Sequence, residues 1–131
     1  MILDTSAVVA IFFQEPGYEV LIGAISRGSV VGIGAPTLVE TAIVLSARLN
    51  LDARGMLARF VDENQIAVIP FTEAHYGTAV SAWRKYGKSR HVASLNFGDC
   101  LTYSVASLSG LPLLCRGDDL RQTDLTLAPI D

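Results

Sequence analysis

The chain alternates between short runs of apolar residues and longer segments whose apolar residues recur at helical spacing. The short runs are bounded by glycine, proline or polar residues, which is typical of buried strands. They predict strands at 1–3, 30–33, 66–69 and 111–114, and a last edge strand at 125–127. The longer segments predict helices at 6–13, 18–27, 37–49, 52–63, 72–86 and 97–109.

Capping residues sharpen two of these helix boundaries. Thr37 and Glu40 fit the Ser/Thr-x-x-Glu capping box, so we expect Thr37 to open the third helix and Glu40 to lie in its first turn. Asn96 is expected to cap the last helix, because asparagine readily accepts a hydrogen bond from the first turn. Asp99 would then lie in the first turn of that helix.

The alternation of strands and helices predicts the fold class. Strands that alternate with helices form a mostly parallel sheet that helices cover. We therefore expect an α/β sandwich with a central sheet of four or five strands, folded as a single domain over residues 1–131. In such sheets ligands bind at the carboxyl ends of the strands, and Asp4 directly follows the first predicted strand.

The composition is apolar for a chain of this length. Half of the 131 residues are hydrophobic and only 18% are charged, against about 25% charged in soluble domains. No apolar run approaches the roughly 18 residues that span a membrane, so we expect the apolar residues to be buried in a core, in an oligomer interface or under a partner.

Asp4 interrupts the opening apolar stretch, so we expect no secretion signal and a cytoplasmic location. Two cysteines, Cys100 and Cys115, are expected to be small buried residues rather than a zinc site.

Positive charge is concentrated in one segment of an otherwise acidic chain. The net charge of −3 argues against nucleic-acid binding through overall charge. Four of the ten basic residues nevertheless lie within seven positions, beside His91: Arg84, Lys85, Lys88 and Arg90. This basic segment either binds a phosphate backbone locally or is a solvated surface loop. Trp83, at helical spacing from Ala79 and Tyr86, is expected in the core rather than on a base-stacking surface.

Acidic residues occur at similar places in several predicted elements. Asp4 ends the first strand, Glu40 and Asp99 lie near the starts of helices, and Asp118 and Asp119 follow the fourth strand. Parallel strands would bring these acids to one edge of the sheet, where their mutual repulsion calls for a cation. Hard oxygen ligands suit Mg²⁺, with Mn²⁺ as the alternative. Such an ion would activate a water for phosphodiester hydrolysis, whereas each acid taken singly could be only a helix cap.

Four segments in order resemble the VapC-type PIN-domain toxins, the ribonuclease half of a bacterial type II toxin–antitoxin (VapBC) pair. They are Met1-Ile-Leu-Asp-Thr-Ser-Ala, Leu38-Val-Glu-Thr-Ala, Tyr86-Gly-Lys-Ser-Arg-His-Val-Ala-Ser-Leu-Asn-Phe-Gly-Asp-Cys, and Leu113-Leu-Cys-Arg-Gly-Asp-Asp-Leu with Thr123-Asp124. The resemblance covers nearly the whole chain. It implies a PIN-domain-like α/β/α sandwich and a Mg²⁺-dependent endoribonuclease.

The same resemblance assigns roles to the acids. Asp4 and Asp99 are expected to be direct metal ligands, and Glu40 is expected to help hold the metal or its water. The fourth family acid falls on Asp118, with Asp119 as the alternative. Thr5 and Ser6 match small hydroxyl positions that either bond a water at the metal or cap the first helix, and Leu120 stands where an aromatic residue is commoner.

The implied partners are RNA, a cognate VapB-type antitoxin and a second copy of the chain. The basic segment at Arg84, Lys85, Lys88 and Arg90 is the expected RNA contact. The antitoxin is expected to cover the apolar surface near the amino-terminal helices, and no membrane partner is expected.

Two other hypotheses remain at this stage. The first is a PIN-like binding module without catalysis, which the retention of every acid opposes. The second is an aspartyl-phosphate phosphotransfer protein. Its hydrolase form would require a second Asp two residues after Asp4. Position 6 is instead Ser6, and no lysine follows Lys88 as a receiver domain would need.

Overall fold

A parallel sheet lies at the centre of the fold. The computed structural model describes residues 1–130, so Asp131, the last residue of the predicted domain, lies outside the described part. Within those residues the strands are β1 (Ile2–Leu3), β2 (Gly32–Gly34), β3 (Ala67–Ile69) and β4 (Leu113–Leu114). They pair in the order β3–β2–β1–β4, and every pairing is parallel. The carboxyl ends of the strands therefore share one edge, as the sequence predicted.

Helices cover both faces of this sheet. They are α1 (Thr5–Phe12), α2 (Tyr18–Arg27), α3 (Ala35–Leu49), α4 (Arg54–Glu63), α5 (Glu73–Tyr86) and α6 (Phe97–Ser109). Successive residues of a strand point to opposite faces, and here Leu3 packs among residues of α1 to α4 while Ile2 packs against α5 and α6. The predicted α/β/α sandwich is confirmed. None of the helices in residues 1–130 is both long and apolar enough to cross a membrane.

A glycine in β2 lets α6 approach the sheet closely. A Cβ at Gly34 would lie only 2.8 Å from Cγ2 of Val105, a buried residue of α6. Real Cβ atoms do not tolerate such a distance in a packed interior. The missing side chain therefore sets how near α6, which carries Asp99, lies to the carboxyl edge of the sheet.

The predicted start of the third helix is wrong. Helix α3 begins at Ala35 with Gly34 as its N-cap, and Pro36 occupies the first turn, where its missing N–H costs nothing. Thr37 is therefore inside the helix, buried, with its hydroxyl 3.0 Å from that of Thr102. Glu40 consequently lies in the second turn rather than the first, and it is free of a capping role.

The predicted edge strand at 125–127 is also wrong. The segment makes one parallel bridge, between Leu113 and Leu127. The N–H of Leu113 donates to the carbonyl of Thr126 at 2.9 Å, and the N–H of Ala128 donates to the carbonyl of Leu113 at 2.7 Å. The chain thus runs parallel to the outer side of β4 at this one residue pair, which is too short for a strand.

Candidate active site

Asp4 leaves β1 at the edge of the sheet and caps helix α1. Its N–H donates to the carbonyl of Leu114 in β4 at 3.0 Å. Its Oδ2 accepts hydrogen bonds from the backbone N–H and the hydroxyl of Ser6, at 3.1 Å and 2.5 Å. The Ser6 hydroxyl oxygen in turn accepts from the N–H of Arg116 at 2.9 Å. Asp4, only 7% exposed, is thus held in place by hydrogen bonds to Ser6 in α1 and to Leu114 in β4.

Glu40 reaches the same edge from the second turn of α3. Its Oε1 accepts a hydrogen bond from the Thr5 hydroxyl at 2.9 Å. Its other oxygen packs against the first turn of α6, where a Cβ at Gly98 would lie 2.7 Å from Oε2. Thr5 therefore orients Glu40, and only glycine at position 98 leaves room for the carboxylate. The partly positive amino end of α6 also favours a negative charge there.

Asp99 combines a capping role with proximity to the other acids. Its N–H donates to Oδ1 of Asn96 at 2.8 Å, and its Oδ2 accepts from the N–H of Asn96 at 3.1 Å, which is the capping box predicted by Asn96. Burial, followed by the negative charges of Asp4, Asp119 and Glu40, raises the pKa of Asp99 to about 6, against the lowering effect of the Asn96 hydrogen bond.

The two acids after β4 have different surroundings. Asp119 is close enough for its charge to raise the pKa of Asp99. The side chain of Asp118 is 85% exposed and lies 4.0 Å from Nε of Arg121. Both acids are exposed and follow Gly117, whose φ of +84° suits glycine. Leu120 is buried at 4% exposure and anchors the short 3₁₀ helix Leu120–Gln122, so the leucine fills its place in the core.

The donor set suits a hard divalent cation. Within residues 1–130, no group of three or more His, Cys, Asp or Glu side chains is placed to hold a metal ion by itself. Mg²⁺ does not need one, because it keeps several waters and binds through one or two carboxylates plus substrate phosphate. The concentration of negative charge that raises the pKa of Asp99 is what a cation would relieve.

Both cysteines near the site are unreactive thiols rather than ligands. Cys100 is buried and Cys115 is half-buried, and neither forms a disulfide. Burial, and then the charge of Asp4, raise the pKa of Cys115 to about 11. Burial raises the pKa of Cys100 as well. The expectation of small buried residues is confirmed for Cys100 and holds in part for Cys115.

The basic segment begins in the last turn of α5, with Arg84 and Lys85, and continues as a closed loop over residues 87–95. The N–H of Leu95 donates to the carbonyl of Tyr86 at 2.8 Å, which joins the ends of the loop. His91 packs edge-on against the Tyr86 ring, and its Nδ1 accepts from the N–H of Ala93 at 2.9 Å. All four cations of the segment are exposed: Arg84, Lys85, Lys88 and Arg90.

Trp83 corrects a prediction from the sequence. It does not belong to the core, because 46% of it is exposed, and the guanidinium of Arg90 lies 4.3 Å from the centre of its ring. The buried face of α5 instead carries Ala79, Ala82 and Tyr86. Spacing alone misplaced Trp83, since α5 packs on α6 through small residues and leaves the indole outside.

Two residues that matter to the geometry escaped the sequence reasoning. Gly98 makes room for Glu40, and Phe97, the first residue of α6, is 80% exposed. The position of Phe97 could have drawn attention to it, because this large apolar residue follows the Asn96 cap and lies two residues before Asp99. Ser6, considered for a water or a cap, instead links Asp4 to Arg116.

Comparison with known proteins identifies the family. The sequence profile of the PIN domain matches residues 1–125. The chain is 44% identical over 126 residues to a VapC ribonuclease of Mycobacterium bovis and to ribonuclease VapC36 of Mycobacterium tuberculosis, with 95% of this chain and 91% of each relative aligned. It is 38% identical over 125 residues to ribonuclease VapC of Mycolicibacterium smegmatis, with 95% and 97% aligned.

A solved structure supports the fold independently. The crystal structure of Mycobacterium tuberculosis VapC20, a sarcin-ricin loop cleaving toxin, has a TM-score of 0.78 to this chain. The superposition covers 98% of both chains at 19% sequence identity. At that identity the similarity shows the fold alone. Membership of the family is shown by the PIN-domain profile and by the relatives of 38% and 44% identity. The chain therefore belongs to the PIN-domain family and, within it, to the VapC group.

Proposed function

We propose that this VapC protein is the toxin of a type II toxin–antitoxin pair and acts as a Mg²⁺-dependent endoribonuclease. Mn²⁺ is the alternative ion, because it accepts the same oxygen ligands. The observation that carries the proposal is the convergence of Asp4, Glu40 and Asp99 at the carboxyl edge of the sheet. The charge of each of the other two acids raises the pKa of Asp99.

The proposed roles follow from the contacts of each acid. Asp4 and Asp99 would hold the cation directly, and Oδ1 of Asp4 is available for it because the hydrogen bonds from Ser6 use Oδ2. Glu40, oriented by Thr5, would accept a hydrogen bond from the attacking water. Bound Mg²⁺ would supply activation of that water and neutralise the charge that builds on the phosphate.

The fourth acid is the one point on which the structure favours a different residue from the sequence. We assign this role to Asp119 rather than Asp118, because the charge of Asp119 acts on Asp99 while Asp118 lies beside Arg121. Asp119 would contribute negative charge at the edge of the site and bond a water there rather than bind the metal directly.

The partners fit the apolar surface of the chain. A VapB-type antitoxin is the partner that VapC proteins imply, and an apolar groove between α3 and α4, lined by Leu38, Leu57 and Val61, offers it a surface. A homodimer would cover further exposed apolar side chains. An RNA substrate would place the activity in the cytoplasm, and the basic segment would hold its phosphates.

The proposal is tested by cleavage of total RNA by wild-type protein and by Asp4→Asn and Asp99→Asn variants. We expect Mg²⁺-dependent cleavage by the wild type, loss of that cleavage with chelator, and a loss of at least about a hundredfold in both variants. Asparagine keeps one acceptor oxygen, so circular dichroism should show an intact fold. Cleavage at the wild-type rate by purified Asp4→Asn protein would falsify the assignment.

A further inference from the structure

Two exposed aromatic side chains flank a groove beside the candidate active site. Trp83 on α5 is 46% exposed, and Phe97 at the start of α6 is 80% exposed. The groove between them has a volume of about 480 Å³ and also involves Val80, Lys88 and Leu95. That volume lies within the ~300–1,000 Å³ of typical ligand sites. Large aromatic rings exposed together usually mark a binding surface.

The groove is continuous with the acidic edge of the sheet. Phe97 lines this groove and also a neighbouring one that contains Glu40 and Gly98. Phe97 is also only two residues from Asp99 in the first turn of α6. A chain that passes the carboxylates therefore reaches Phe97 next and Trp83 after it.

Cations lie along the aromatic groove. Lys88 lines it, and the guanidinium of Arg90 stacks 4.3 Å from the centre of the Trp83 ring. The ion pairs found among residues 1–130 involve other basic residues, so these two are available to a phosphate. The groove therefore presents positive charge in a chain whose net charge is −3.

The Trp83 ring is held in a fixed orientation. A Cβ at Gly87 would lie 2.7 Å from Cδ1 of Trp83, so the backbone at Gly87 packs against the edge of the ring. Arg90 covers one face of the indole. A ring that is already ordered loses little conformational entropy when a planar group stacks on it or on the guanidinium.

We propose that this groove is a nucleobase-binding site, in which an unpaired base next to the cleaved phosphodiester stacks between Phe97 and the Trp83–Arg90 pair. Lys88 binds the adjoining phosphate. The inference rests on the proposed nuclease function and adds a requirement to it: the substrate must present an unstacked base beside the cleavage position. A second copy of the chain fits less well, because a twofold contact here would bring two basic segments together.

The test uses the single tryptophan of the chain, since its fluorescence reports on Trp83 alone. Asp4→Asn protein in chelator, where no cleavage is expected, is titrated with a short single-stranded oligoribonucleotide and with an abasic oligoribonucleotide of the same length. We expect the first to quench the fluorescence and the second to leave it unchanged. Adding Phe97→Ala should weaken binding of the first about tenfold, without affecting the abasic probe.

Three further variants complete the test. Lys88→Ala should weaken binding of both probes, because it removes a phosphate contact. Trp83→Phe should bind the base-bearing probe more tightly than Trp83→Ala, because a smaller ring can still stack. These two variants lack tryptophan, so their binding, and the binding of the abasic probe, is measured by fluorescence anisotropy of an end-labelled probe. Tyr76→Ala is the matched control, since Tyr76 is an exposed aromatic of the same helix outside the groove; binding should not change.

Two outcomes would overturn the inference. One is equal binding of the base-bearing probe by the parent, Trp83→Ala and Phe97→Ala proteins. The other is a lower dimer fraction in sedimentation of these variants with RNA affinity unchanged, which would make the groove an interface between copies. Neither outcome affects the Asp4-dependent cleavage that tests the proposed function, so the two failures are distinguishable.

Discussion

Two neighbouring aspartates show how much one residue of chain can change a carboxylate's role. Asp118 and Asp119 have the same chemistry and follow the same strand. Both are exposed and follow the left-handed residue Gly117, yet Asp118 lies beside Arg121 while the charge of Asp119 acts on Asp99. A sequence motif cannot separate adjacent acids, because their directions depend on the backbone dihedral angles of the turn.

This difference predicts opposite effects for two matched substitutions. Asp119→Asn should lower the rate of RNA cleavage about tenfold or more, which is the usual cost of losing a group that supports a metal site. Asp118→Asn should leave the rate within about twofold of wild type, because an exposed ion pair contributes little. Steady-state cleavage of one oligoribonucleotide by the three proteins measures both effects, and the reverse order would return the role to Asp118.

The raised pKa of Asp99 predicts a dependence of stability on pH. A carboxyl whose folded pKa is about 6 instead of 3.8 favours folding when protonated, so its ionisation costs stability as pH rises from about 4 to about 6. In chelator at pH 7.5, Asp99→Asn should therefore be more stable than wild type by about 1 kcal/mol, after allowance for solvent screening of a half-buried group. Asparagine can still accept the Asn96 hydrogen bond.

Thermal melting at several pH values measures this effect. The gain of Asp99→Asn over wild type should be about 3 °C at pH 7.5 and should shrink as the pH is lowered towards 4. Asp118→Asn serves as the control, since its exposed carboxylate should give no comparable gain. If Asp99→Asn is less stable than wild type at every pH, then ionised Asp99 does not destabilise the fold.

At the scale of elements, α6 organises the site. It carries Asp99 and Phe97 at its amino end, lies against β2 at Gly34 and Val105, and makes room for Glu40 at Gly98. The sequence located this helix well, because Asn96 is a strong cap. It placed the start of α3 wrongly, because the Thr37–Glu40 capping pattern competed with Pro36, which fits the first turn better.

The close contact between β2 and α6 predicts a pair of coupled substitutions. Gly34→Ala should lower the free energy of unfolding by about 1–3 kcal/mol, because the added Cβ would lie 2.8 Å from Cγ2 of Val105. Val105→Ala in the same chain should recover part of that loss, which a double-mutant cycle in urea measures. Gly77→Ala is the control: no atom lies within 4 Å of a Cβ there, so it should be neutral or stabilising. Additive losses for Gly34→Ala and Val105→Ala would argue against the contact.

At the scale of the whole molecule, the parallel sheet gathers acids from distant parts of the chain. The alternation of apolar runs and amphipathic segments was enough to predict this, because parallel pairing puts every strand's carboxyl end at one edge. The same patterns could not predict which side chains stay outside, as Trp83 shows. Exposure depends on how helices pack on one another, which spacing within one helix does not specify.

Because several negative charges lie together at the carboxyl edge of the sheet, we expect a divalent cation to stabilise the whole fold. Mg²⁺ that binds only the folded chain should raise the melting temperature of wild-type protein by several degrees at saturating concentration. The Asp99→Asn variant should respond much less, because it lacks one proposed ligand. Differential scanning calorimetry with Mg²⁺, Mn²⁺ or NaCl of equal ionic strength separates binding from screening. A wild-type melting temperature that neither divalent ion changes would count against the metal.

The room that Gly98 leaves for Glu40 has a consequence for the inheritance of this toxin. A Cβ there would meet the flexible end of the Glu40 side chain, at 2.7 Å from Oε2, so the carboxylate would move while the fold survived. A single nucleotide change that converts Gly98 to alanine would then abolish the RNA cleavage and leave a folded chain that still binds its antitoxin. Cells that lose the antitoxin are accordingly expected to include survivors altered at Gly98, beside those that lose an acid.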